Sequence, residues 1–114
     1  MADLGDIEGL GGLEDRQKLA QRYTVQELKE AAIQYADHYG IPRDLMLGYF
    51  GYESNWNPLA KNPHSSARGL GQIIDSTGKG LGLKITGGKD DERWDPSKNM
   101  DAIGREMSRL YEVH

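Results

Sequence analysis

Pro42-Arg43-Asp44-Leu45-Met46-Leu47-Gly48-Tyr49-Phe50-Gly51-Tyr52-Glu53-Ser54-Asn55-Trp56-Asn57-Pro58 is the stretch on which the fold turns. Pro42 suits a first helical turn, because its missing N–H would have no intrahelical partner there anyway. The spacing predicts a helix over about 42–54, with Leu45, Tyr49, Phe50 and Glu53 on the face that looks inward. A carboxylate in line with an apolar stripe is unusual. It either points into a cleft or sits at the helix end, where solvent is close. Tyr49 and Phe50 precede Glu53 by one turn, and Tyr52 and Trp56 flank it. An apolar setting disfavours the charged form of a carboxyl group, which is what a general acid working near neutrality needs. The ordinary alternative is that Glu53 caps the helix or pairs with an arginine.

Upstream, Thr24 followed by Glu27 is a capping box, in which each side chain satisfies a free backbone N–H at the other's position. Leu28, Ala31, Ala32, Tyr35 and Tyr39 recur at three- and four-residue steps behind it, and Gly40 is the natural stop. Residues 1–22 are rich in glycine and acids and read as a mobile arm, with Leu10, Leu13 and Leu19 available to dock it locally.

Downstream, Asn57, Pro58, Asn62 and Pro63 mark a loop. Gly69–Asp75 reads as one or two helical turns, Leu81–Thr86 as a short strand, and Gly87-Gly88 as a turn. Asp95 and Pro96 open a last helix whose buried stripe is Met100, Ile103, Met107, Leu110 and Tyr111.

A chain of 114 residues has room for one domain with a modest core. A net charge of −4 argues against nucleic acid as a partner. No apolar run approaches the roughly 20 residues that cross a bilayer, and the N-terminus has neither the basic leader nor the apolar core of a secretory signal. Without cysteine there is no disulfide framework and no thiolate zinc site, and His38, His64 and His114 share no ligand spacing. Ser76-Thr77-Gly78-Lys79-Gly80 is not a phosphate loop, because Ile73 stands where its first glycine should be and Gly80 where Ser or Thr is required. Asp90, Asp91 and Glu92 form an acidic run that is either a solvated loop or the source of a second carboxylate.

Taken together, Glu53-Ser54-Asn55-Trp56-Asn57-Pro58, then Ser65-Ser66-Ala67-Arg68-Gly69-Leu70-Gly71-Gln72-Ile73, then Trp94-Asp95-Pro96 to Asn99-Met100, resemble the soluble lytic transglycosylase family over about residues 40–111. The resemblance implies a mainly α, lysozyme-like (α+β) single domain with a small β element over 23–114. It also implies cleavage of the MurNAc–GlcNAc bond of peptidoglycan glycan strands, with formation of a 1,6-anhydro sugar and no need for a metal or organic cofactor. Glu53 matches the family's single acid/base. Ser54, Asn62, Ser66, Gly69 and Gln72 fall at substrate-groove positions: Ser54 beneath the acid, Gln72 lining the groove, and Gly69 where the backbone runs close to the acid.

Gly71 stands where many relatives carry Met, which removes an apolar wall, and Asn62 where many carry serine. The family's third motif, an Ala-Tyr-Asn-Ala-Gly-like segment, is absent, as expected of a minimal variant or a piece of a longer protein. Gly78–Leu83 and Thr86–Asp91 further resemble murein-cleaving domains of short-tailed phage ejection proteins. That resemblance implies a phage virion enzyme delivered to the periplasm and cell wall alongside other virion proteins, the bacterial periplasm being the alternative location. The competing functions are a hydrolysing muramidase and a virion structural or wall-binding module without turnover.

Overall fold

The computed structural model describes residues 15–111. Five helices, α1 (Arg16–Ala20), α2 (Val25–Tyr39), α3 (Arg43–Ser54), α4 (Asp75–Gly80) and α5 (Pro96–Leu110), are joined by loops and one 3-10 turn, Glu92–Trp94. The α2 capping box forms as the spacing predicts. Thr24 Oγ1 accepts from the Glu27 N–H at 3.0 Å, and Glu27 Oε1 accepts from the Thr24 N–H at 2.9 Å. Gly40 ends the helix in the left-handed region, at φ 69°. Asp95 caps α5 from the Ser97 and Lys98 N–H groups, with Pro96 at its first position.

Leu28, Ala31, Ala32 and Ala36 of α2 meet Met46 and Phe50 of α3 and Met100, Ile103 and Met107 of α5 in one core. Close approach of α2 and α5 depends on Gly104, where an added Cβ would stand 2.5 Å from Tyr39 Cδ2. Tyr39 donates to Asp101, and Tyr35 and Ser97 share a hydroxyl hydrogen bond, so the partly buried phenols of α2 are satisfied on α5.

The structure departs from the expectations in five places. First, α3 is rotated: Met46, Phe50 and Ser54 are buried, whereas Leu45 is 43% exposed and Tyr49 and Glu53 are half-buried. Two neighbouring stripes compete for the core, and the one without a carboxylate wins, because an unpaired buried charge is costly.

Second, Gly69–Gln72 is a tight turn rather than helix, closed by reciprocal Arg68–Ile73 hydrogen bonds of 3.1 Å. Gly69 at φ 83° and Gln72 at φ 51° are both left-handed, which a helix does not admit. Third, the β element lies here, as the Lys61–Arg68 and Arg68–Ile73 bridges, and not at Leu81–Thr86. In the latter segment side-chain carboxylates replace a partner strand: Glu92 Oε1 accepts from the Lys84 N–H, and Asp91 Oδ2 from those of Thr86 and Gly87.

Fourth, Leu110 and Tyr111 are 58% and 63% exposed at the end of α5. Among the described residues they border a shallow groove facing Leu45 instead of entering the core. Fifth, residues 16–20, assigned to the arm, are docked as α1. The Arg16 guanidinium pairs with Asp95 at 3.2 Å and Glu92 at 3.6 Å, and Ala20 is buried. Leu10 and Leu13 lie outside the described residues.

Candidate active site

Glu53 sits near the C-terminal end of α3, one turn beyond Tyr49 on the stripe that α3 withholds from the core. The helix is capped by Asn55, at φ 51°, and not by Glu53. Among the described residues no arginine, lysine or hydrogen-bond donor is paired with the Glu53 carboxylate. Both ordinary roles for a glutamate at this position are therefore unfilled here.

Of the four aromatic residues expected around it, Phe50 and Trp56 pack against one another in the core and Tyr52 is 89% exposed. Only Tyr49 faces the groove. Its hydroxyl donates to the Gly71 carbonyl at 2.9 Å, tying α3 to the Gly69–Gln72 turn. Burial, then the nearby negative charge of Glu53, push the Tyr49 phenol up to about 12, so it remains a donor throughout the physiological range.

A groove of about 200 Å³ runs beside this contact, lined by Tyr49, Gln72, Ile74, Thr77, Ile103 and Glu106 among others. Gln72 donates through Nε2 to the carbonyls of Ala60 at 3.0 Å and Gly69 at 2.9 Å. Since a carbonyl can only accept, these two bonds fix the amide orientation, and Oε1 is the atom left to accept from a ligand.

The other residues singled out from sequence serve the frame. Ser54 Oγ donates to the Phe50 carbonyl at 3.0 Å within α3. Asn62 Oδ1 accepts from the His64 N–H in a local turn, and Ser66 Oγ accepts from the Asp75 N–H at the start of α4. Gly69 is required by Arg93 and Asn99: an added Cβ would lie 2.3 Å from the Arg93 carbonyl oxygen and 2.5 Å from Asn99 Nδ2. Gly71 is also forced by packing. A Cβ there would meet Ile103 Cγ1 at 2.5 Å, so Ile103 itself supplies the apolar wall expected to be lost.

The sequence assigns Arg93 and Asn99 no role of their own, yet they hold the turn. The Arg93 guanidinium, 2% exposed, donates to the carbonyls of Ser66 at 2.8 Å and Ile73 at 2.9 Å, at the two ends of the loop. It also pairs with Asp91 at 2.9 Å and Asp75 at 2.8 Å. Asn99 Oδ1 accepts from the Gly71 N–H at 2.8 Å while its Nδ2 donates to the Arg93 carbonyl. An arginine is exposed by default, so its burial cannot be read from composition. The arginine that follows the Asp90-Asp91-Glu92 run was the available signal.

Asp91 is thus a buried structural ion and not part of a solvated loop. Burial would push its carboxyl up, but hydrogen bonds from Arg93 and the Gly87 N–H outweigh it and leave it at about 2. Glu92 bonds to Arg16, Lys98 and the Lys84 N–H, and Asp90 to Lys84 and Thr86. The acidic run is occupied by the frame. Among the described residues no group of three or more His, Asp or Glu is placed to hold a metal ion.

A stretch of 75 residues, 66% of the chain, is 33% identical to the peptidoglycan transglycosylase gp16 of Escherichia phage T7, of which it spans 6%. No solved structure gives a significant match. The transglycosylase SLT domain family matches residues 30–113, a span that includes α3 with Glu53, the Gly69–Gln72 turn and the Arg93–Asn99 brace, and the chain belongs to that family.

Proposed function

We propose that this domain is a peptidoglycan lytic transglycosylase in which Glu53 is the single acid/base. The observation that carries the reading is an unpaired, half-buried carboxylate one helical turn beyond Tyr49, the tyrosine that lines the groove and is locked to the opposite turn. A glycosidic oxygen leaves only when it is protonated. Glu53 gives its proton to the bridging oxygen between MurNAc and GlcNAc as the C1–O bond breaks. The resulting carboxylate then takes the proton of the MurNAc C6 hydroxyl as that oxygen bonds to C1. The ring closes as a 1,6-anhydro sugar, no water is consumed, and Glu53 ends protonated.

Gln72 Oε1 accepts from a sugar hydroxyl or amide, while Ser54, Asn62, Ser66 and Gly69 keep the groove edges in place. The likeness to a phage transglycosylase supports a role in local wall penetration, with a phage particle carrying the domain to the periplasm.

Glu53→Gln keeps the side chain's size and removes its proton. The expected outcome is a loss of about 10³-fold in the rate of solubilising purified murein sacculi, at unchanged thermal stability. Undiminished lysis would end the assignment. Mass spectrometry of the wild-type products then separates the mechanisms: anhydro ends belong to the transglycosylase and reducing ends to a hydrolase. Binding to sacculi without released fragments is the mark of a wall-binding module.

A further inference from the structure

The sugar groove does not end at α4. Thr77, Leu81 and Glu106 line it and also line a larger hollow of about 490 Å³ that opens sideways between the end of α4 and the last turns of α5. Gly80, Arg105 and Arg109 complete that hollow. Each guanidinium spends two of its five N–H groups within the protein: Arg105 on Asp101 and the Leu81 carbonyl, Arg109 on Glu106. Among the described residues nothing takes the remaining N–H groups, which can serve an incoming acceptor. The carboxylates of Asp101 and Glu106 balance the two cations, so the hollow mixes both signs over an apolar floor at Leu81. At Gly80 an added Cβ would meet nothing, so the hollow has room there.

We propose that this side hollow receives the stem peptide of the glycan strand. The inference rests on the transglycosylase reading of the adjoining groove. Every muramic sugar carries its stem through a lactyl ether on C3, so a strand lying in the groove must send peptide out to one side. A stem presents free carboxylates, small methyl side chains and, in many walls, one free amine. Arg105 and Arg109 suit the first, Leu81 and Thr77 the second, and Glu106 the third. A volume of this size is ordinary for a ligand of a few residues. Glu106, common to both grooves, stands at the branch point where sugar gives way to peptide.

The test compares stem-bearing glycan strands with the same strands stripped of peptide by an amidase. Wild-type protein is expected to prefer the stem-bearing strands by roughly fivefold in kcat/KM, as two exposed charge-assisted contacts allow. Arg105→Gln/Arg109→Gln is expected to cleave both at the wild-type rate for stripped strands. Because Arg105 also bonds to the Leu81 carbonyl, Arg109→Gln alone serves as the less intrusive variant, with an intermediate loss.

Binding of a soluble disaccharide-peptide and of its peptide-free counterpart to the Glu53→Gln protein reads the hollow without turnover. Tighter binding of the first, lost in the triple variant, supports the proposal. Equal rates and equal binding for the two ligands in wild-type and Glu53→Gln protein would overturn it, as would a preference that survives both arginine substitutions. Failure of wild-type protein to cleave either strand, with the binding difference intact, counts against the transglycosylase reading alone.

Discussion

At the scale of single residues, the site depends on one buried cation and one unpaired carboxyl group. Arg93 holds both ends of the turn that carries Gln72, and its charge is balanced by the fully buried Asp91. Arg93→Met leaves that carboxylate buried without its partner, and breaking a buried pair in this way costs about 3–5 kcal/mol. Urea unfolding should show a loss of that size. Arg93→Lys is expected to recover part of the stability while leaving the loop short of hydrogen bonds, since an ammonium cannot reproduce the planar fork. The sequence singles out Glu53 through the Glu-Ser and Asn-Pro pairs around it, which are local. Its aromatic surroundings were not legible. Phe50, Trp56 and Tyr52 take their directions from the rotation of α3 and from the left-handed pair Asn55 and Trp56, which swings the Trp56 ring back onto Phe50.

At the scale of elements, glycines set how closely the parts approach. Gly71 lies against Ile103 and its N–H donates to Asn99 Oδ1, so the turn rests directly on α5. Gly71→Ala forces a methyl to within 2.5 Å of Ile103 Cγ1 and 2.7 Å of Asn99 Oδ1. Overpacking of that kind costs about 1–3 kcal/mol. The expected outcome is a lowered Tm together with a weakened Tyr49–Gly71 contact, read as slower lysis of sacculi per folded molecule. If Tm and lysis both stay at the wild-type level, the turn does not lean on α5. Helix α2 was predictable in type and at both ends, and α5 in type and start, because their capping residues act within one turn of the chain. The Gly69–Gln72 turn was misread as helix, because its left-handed residues answer to Arg93 and Asn99, more than twenty residues away in sequence.

At the scale of the whole molecule, the Asp91–Arg93 pair makes stability depend on pH. Folding lowers the Asp91 carboxyl from 3.8 to about 2. Its contribution is therefore complete above the ordinary carboxylate range and disappears as pH falls from about 4 through about 2. The amount at stake is on the order of 2 kcal/mol. Urea unfolding at about pH 6 and about pH 3 should show roughly half of that decline, and Asp91→Asn should start lower and decline less. A wild-type protein equally stable at both values would contradict the burial of this ion.

Helix type, capping, the single-domain size and the acid-bearing motif were all determined by the sequence, because each depends on neighbours a few residues apart. Which stripe of α3 faces the core, which charges are buried and how the groove divides beside Glu106 were decided only by the tertiary structure. Those outcomes depend on competition for a limited apolar interior, and the winner is set by what α2, α5 and the 66–73 loop bring to it from elsewhere in the chain.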